Sequence, residues 1–396
     1  MNPTQQRFMV FCVFVVLIIV GVGFVVSNAL TGKAGEVDLN GKAKNIQAEK
    51  GANLEERLGV DDGASLAFIY GADMQGSLDN CGCKANPVGG LVRRVKYVNS
   101  FKEKYKDIPV LHVDVGHLFN EELAAEKPET LREDALLMNE WMLKAFSQFK
   151  LDAINFSHRD MLYGKVVLDK EKYQQQLMST PILGDMISAN ISPSQDINKI
   201  TPLKPYVIRE VQGKRLGKKA NLRVGFVGLT ETWPNAITGF VVNEPLEKIK
   251  AILPEVRAKA DLVVVLAYCN LGVAKEIIKQ NPDIDVLITA NAVALPPPAQ
   301  RDGKTIFVHS INQTKSLGEL RLYLDDEGKV KDYLNRYISL DRNIPDDTEA
   351  AKVFAASKVE IEAAKAKILA AEEEELKRLN EANNNLKPNK NAGSTN

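Results

Sequence analysis

The chain has 396 residues, and 51 Lys and Arg balance 51 Asp and Glu to a formal net charge of zero. With no basic excess, no nucleic-acid partner is expected, and the length allows one large domain or two medium ones. Four cysteines are present without a Cys-x-x-Cys-His, which argues against covalently attached haem.

Phe8 to Val26 is an unbroken apolar run of 19 residues. A bilayer core takes about 20 residues, whereas signal-peptide cores run about 7–15. The run predicts an uncleaved, single-pass transmembrane anchor over 8–26. The alternative is a signal peptide cut after Ser27-Asn28-Ala29. A short amino-terminal stub before a large domain places the body outside the cytoplasm, periplasmic in a Gram-negative cell. Residues 27–63 are polar and aperiodic and read as a linker.

From residue 64 to 342, short apolar runs alternate with helical stretches, which predicts an α/β domain. Leu66–Tyr70, Pro109–Val113, Leu151–Phe156, Leu222–Leu229, Leu262–Ala267, Ile284–Thr289 and Thr305–His309 read as strands, several of them buried on both faces. Tyr206–Val211, Leu320–Leu324 and Tyr333–Leu340 alternate and read as half-exposed antiparallel strands. Asp325-Asp326-Glu327-Gly328 is a hairpin turn signal. Helices are expected over Leu91–Tyr105, Leu131–Phe149, Lys170–Met178, Pro245–Lys259 and Val273–Gln280. Residues 346–379 form one long helical pattern, either a solvated helix or a docking surface for an envelope protein partner. Residues 380–396 are Asn- and Lys-rich and read as a disordered tail.

The chemistry-bearing stretch runs from Phe68 to Arg94. An apolar strand ends in Asp73-Met74-Gln75, a Cys81-Gly82-Cys83 loop follows, and Gly89-Gly90 opens a helix. An acid in a Gly-rich loop after a buried strand is where α/β proteins place reactive groups. Cys81 and Cys83 are read as a redox pair or soft-metal site, or else as a loop-stapling disulfide or two buried thiols; a disulfide across one residue is strained and oxidising. Arg93 and Arg94 read as a solvated pair and His112 as a core histidine. His309 ends a strand at a position that would line the cleft or not with equal expectation.

The order and spacing of these motifs resemble the metallophosphatase domain of the 5′-nucleotidase/UDP-sugar hydrolase (calcineurin-like metallophosphoesterase) family over roughly Ser65 to Leu340. The resemblance implies a four-layer αββα sandwich, here preceded by a transmembrane helix and followed by a long carboxy-terminal helix. It implies two metal ions at the carboxy ends of strands. The family's Asp-x-His falls on Asp73-Met74-Gln75, its bridging Asp on His117, and its Gly-Asn-His-Glu on Ser157-His158-Arg159-Asp160. A family histidine falls on Tyr268, and the Gly-His-x-His motif falls on 290–293, which includes Asn291. An imidazole cannot bridge two ions as a carboxylate does, and an amide is a weak ligand.

The resemblance therefore implies tentative metal ligands at Asp73, Gln75, His117, His158 and Asn291, with Arg159 as a phosphate clamp if the site is active. The cofactor is one divalent ion, held by Asp73, His117 and His158, or none, with these residues hydrogen-bonding one another. The expected function is a membrane-anchored, extracytoplasmic binding or assembly subunit of an envelope complex, without ordinary nucleotidase activity. The alternatives are a divergent metal-dependent phosphoesterase and a thiol-redox protein using the Cys-Gly-Cys loop.

Overall fold

The computed structural model describes residues 63–80, 87–124, 127–169, 171, 175, 186–200, 203–235, 237–290, 297–310 and 315–385. The anchor expected at 8–26, nearly all of the linker, Cys81, Cys83, Asn291 and most of Lys170–Met178 lie outside the described residues. Among those described, no helix is long and apolar enough to cross a membrane.

The chain begins with β1 (Leu66–Gly71), α1 (Leu91–Lys104), β2 (Val110–Asp114), β3 (Leu123–Ala124), β4 (Lys127–Leu131) and α2 (Glu133–Gln148). It continues through β5 (Ala153–Asn155), α3 (Met161–Asp169), β6 (Met186–Ile187), β7 (Ile191–Pro193), α4 (Gln195–Ile200), β8 (Tyr206–Arg215), β9 (Lys218–Thr230) and β10 (Phe240–Val242). The second half adds α5 (Pro245–Lys259), β11 (Leu262–Tyr268), α6 (Leu271–Gln280), β12 (Val286–Ala290), β13 (Gln300–Asp302) and β14 (Thr305–His309). It closes with β15 (Ser316–Leu324), β16 (Val330–Ser339) and α7 (Thr348–Asn385).

These strands build two six-stranded sheets, ordered β16-β15-β1-β2-β5-β6 and β13-β14-β12-β11-β9-β8. In the first, β1, β2, β5 and β6 are parallel. In the second, β9, β11, β12 and β14 are parallel. The predicted hairpin forms between β15 and β16, with Gly328 at φ 84°. Side chains of both sheets share one core, where Phe68 and Phe226 meet edge to face at 6.0 Å. Two further apolar layers lie under α1, α2 and α3, and another under α5 and α6. This is the helix–sheet–sheet–helix layering expected from the sequence. It explains why every residue of β11 (Leu-Val-Val-Val-Leu-Ala-Tyr) is buried: one face meets the other sheet and the other meets helices.

The long helix α7 is not solvated throughout. Ala350, Ser357, Ile361 and Ala364 are buried against α1 and α2, and Trp141 Nε1 donates to Glu360 Oε2 at 2.9 Å. From Leu369 to Glu381 its side chains are exposed, and the helix continues to Asn385, past the end expected at 379.

Candidate functional site

The carboxy ends of the parallel strands of both sheets converge. Asp73 and Gln75 follow β1, His117 follows β2, and His158 to Asp160 form a 3-10 turn after β5. Thr230 ends β9 and Tyr268 ends β11. Three of these residues lie in the left-handed region: Asp73 at φ 56°, Gln75 at 51° and His117 at 58°. Few non-glycine residues adopt it, and Asp and His are among the more tolerant. The two loops are laced together by Asp73 N to Gly116 O at 2.9 Å, Gln75 N to His117 O at 3.0 Å and Gly76 N to Leu118 O at 2.8 Å. Gly116 stands at φ 123°, and a Cβ there would lie 2.9 Å from Ser157 Cβ.

Asp160 holds the second loop from below. Its Oδ1 accepts the backbone N–H groups of Leu118 and Phe119, and its Oδ2 accepts those of His117 and Ser157 and the Ser157 hydroxyl. Five donors on one buried carboxylate compensate its desolvation. Neighbouring Asp114 accepts Gly116 N–H at 3.0 Å and is paired at 2.8 Å with Arg94. Arg94 is thus not part of a solvated pair. It is buried, donating also to His112 Nε2 at 2.8 Å and to Val113 O, and touching Met74 Sδ. The sequence mistook it because an apolar helix face gives no sign that an ion partner waits beneath. Arg93 is half-buried and donates to Pro87 O and Leu340 O. His112 is a core histidine, as expected.

In the cleft, the Tyr268 hydroxyl donates to Asp73 Oδ1 at 2.7 Å, and His117 Nδ1 lies 2.9 Å from the same oxygen. A carboxylate only accepts, so Nδ1 carries the imidazole proton. Burial, then the Asp73 charge, push the Tyr268 hydroxyl far above the usual phenol range, so it stays a donor. Asp73 Oδ2 and His117 Nε2 are buried without a hydrogen-bond partner among the described residues. His117 Nε2 lies 3.9 Å from Glu121 Oε1, and Glu121 is ion-paired with Arg159. The Arg159 guanidinium also stands over the Trp233 ring, 5.6 Å from its centroid.

His158 is tied to the end of β9 and packs against Tyr268, with ring centroids 5.5 Å apart. Its Nδ1 lies 2.6 Å from Thr230 Oγ1, and its ring stacks on Trp233 at 4.4 Å and 21°. Burial, and secondarily His117, push it down to about 4, so it is neutral at pH 7. Gln75 is half-buried at the rim. His309 packs against Phe307 at 5.0 Å in the layer under α6, outside this group. Sequence reasoning placed Tyr268 but not its bond. It passed over Glu121, Thr230 and Trp233, although Glu121 stands only four residues beyond His117.

The resemblance implies a pair of divalent ions, and the donors among the described residues do not fit one. Asp73 is engaged by two side-chain donors on one oxygen. His117 offers a single nitrogen where a bridging carboxylate is needed. Among the described residues, no group of three His, Cys, Asp or Glu side chains is placed to hold a metal. Hydrogen bonds and the Glu121–Arg159 ion pair occupy these positions instead.

No known family profile and no curated protein matches the chain by sequence. Solved structures match it in fold. The chain is similar to the calcineurin-like phosphoesterase YfkN of Bacillus subtilis, with TM-score 0.58 and 17% identity over 76% of this chain and 99% of that one. It is similar to the 5′-nucleotidase precursor of Thermus thermophilus, with TM-score 0.56 and 18% identity over 75% of this chain and 59% of that one. The sulfate thiohydrolase SoxB of the same organism aligns at TM-score 0.56 and 14% identity over 75% and 60%. The chain thus spans about three fifths of the last two proteins. At these identities the likeness establishes the fold, that of a calcineurin-like metallophosphatase domain.

Proposed function

We propose that this chain uses a metallophosphatase-like domain as a binding or assembly module rather than as a nucleotidase. Residues 8–26 tether it to a membrane, with the body outside the cytoplasm. The observation that carries this reading is the closure of the first ligand position on itself, where Tyr268 and His117 both hold Asp73 Oδ1. The exposed end of α7, with Leu369, Leu376 and Leu379 in solvent, supplies a surface for an envelope partner.

The test is to equilibrate the full chain in detergent with Zn, Mn or Co, then measure bound metal and hydrolysis of AMP and UDP-sugars. We expect neither stoichiometric metal nor turnover. Two ions per chain with turnover would overturn the reading. The buried, unpartnered Asp73 Oδ2 and His117 Nε2 favour a second reading, a phosphoesterase with one divalent ion, and one ion per chain with turnover would establish it. For the assembly role, Leu376→Glu with Leu379→Glu is expected to release co-purifying envelope partners. Retention of the same partners would contradict it.

A further inference from the structure

A second cavity lies on the other side of the Arg94 cluster. It encloses about 260 Å³ between α1, the end of α2 and β2, with Val95, Val98, Lys102, His112, Phe149 and Lys150 in its wall. Helix α1 returns the chain from the carboxy end of β1 to the amino end of the parallel strand β2. Its last turn, with Lys102, therefore sits at the end of the sheet opposite the cleft.

We propose that this cavity binds a small organic anion, with its carboxylate against His112, Lys102 and Lys150 and its short apolar body against Val95, Val98 and Phe149. The argument starts from Arg94. A guanidinium has donors and no acceptor, so the 2.8 Å contact from Arg94 Nε makes His112 Nε2 the acceptor and places the ring proton on Nδ1. His112 is only 4% exposed and forms part of the cavity wall. Its Nδ1–H has no hydrogen-bond partner among the described residues and is not sealed from solvent, so an unpaired donor is left in the cavity wall.

The rim supplies charge. Lys102 and Lys150 are exposed, and neither is in an ion pair among the described residues. Lysines at helix ends often serve only the helix dipole. What singles out this place is the fixed donor beneath them. The Asp152 carboxylate accepts the His112 backbone N–H at 2.7 Å. Burial, then Arg94 and Lys102, hold the imidazole well below its usual range, so it meets a ligand as a neutral donor. The volume suits a ligand smaller than a drug-sized molecule.

The test is calorimetric titration of the full chain in detergent with butyrate and, separately, with inorganic phosphate. We expect butyrate to bind at one site per chain and more tightly than phosphate. In Lys102→Ala with Lys150→Ala, two exposed positions where the fold is retained, butyrate affinity should fall by about tenfold or more. In Arg159→Ala, which alters the cleft alone, it should be unchanged. No saturable butyrate binding, tighter binding of phosphate, full affinity in the double lysine variant, or loss of binding in Arg159→Ala would each overturn the proposal. None of these readouts depends on metal or hydrolysis, so this site and the function proposed for the cleft stand or fall separately.

Discussion

Tyr268 donates its hydroxyl to Asp73 Oδ1 at 2.7 Å across 195 residues of sequence, joining the end of a central strand in one sheet to the first loop of the other. The bond ties the two sheets at the mouth of the cleft. Tyr268→Phe removes the donor and leaves Asp73 with His117 alone. The expected loss is about 1–2 kcal/mol, read from urea unfolding. No change in midpoint would mean that the bond contributes nothing.

The same pair gives a test in the opposite direction. Tyr268→His with His117→Asp restores the residue types that the metallophosphatase resemblance assigns to these positions. Two carboxylates then face each other at positions 73 and 117 and repel without a cation. The double variant should melt lower than the parent in EDTA and recover in zinc or manganese, whereas the parent should show no metal dependence. Equal melting in EDTA and zinc would refute the idea that the cleft differs from a metal site only in its side chains.

Arg94→Met leaves Asp114 buried without its cation. Breaking a buried pair from one side costs about 3–5 kcal/mol. Asp114→Asn in the same chain should recover much of that loss, because the uncompensated charge disappears. Equal destabilisation of the single and double variants, measured by urea unfolding, would show that packing and not charge is at stake.

Acid should destabilise the fold. His158 and His309 are each pushed down to about 4, chiefly by burial, and His112 is lowered as well. As pH falls below about 6.5, the unfolded chain takes up protons before the folded chain does, so these imidazoles lose their contribution between about 6.5 and 4. Asp114 acts the other way. Burial pushes its carboxyl up to about 6, so its folded form binds a proton first and gains on acidification. Three imidazoles oppose one carboxyl, and urea midpoints should fall from pH 7 to pH 4.5. A flat or rising profile would contradict this assignment.

Truncation separates the two halves of α7. A chain ending at Leu369 keeps Ala350, Ser357, Ile361 and Ala364 in place and should melt with the parent. A chain ending at Pro345 uncovers the outer faces of α1 and α2 and breaks the Trp141–Glu360 bond, and its melting temperature should drop by several degrees. Identical melting of the two truncations would mean that the docked half adds no stability.

The frame of this fold was legible where strands are buried on both faces. Leu262–Ala267 and Thr305–His309 read as continuous apolar runs and form β11 and β14 within one residue of the expected limits. Helix α3 was not among the expected helices, and Gly164 sits inside it. The glycine is there because a Cβ would lie 2.6 Å from the Phe240 ring, a contact between distant segments. The site followed the same rule. Asp73, His117 and His158 stand on the strand-end turns their motifs suggested, but the partners that define their chemistry arrive from elsewhere. Tyr268 comes from the other sheet, Thr230 from the end of β9, and Glu121 meets Arg159 across 38 residues. Side-chain pairings of that kind leave no periodic trace in a sequence.

Asp73, Gln75 and His117 keep the left-handed backbone of the two cleft turns without glycine. Holding non-glycine residues there costs on the order of 1 kcal/mol or more apiece, and the lacing between the loops and the Asp160 carboxylate offset it. Asp, Asn and His are the side chains most at ease in that conformation, and they are also good ligands for divalent ions. The peptide frame is therefore a socket whose fittings are interchangeable: a handful of codons would exchange hydrogen bonds for coordination without rebuilding either turn.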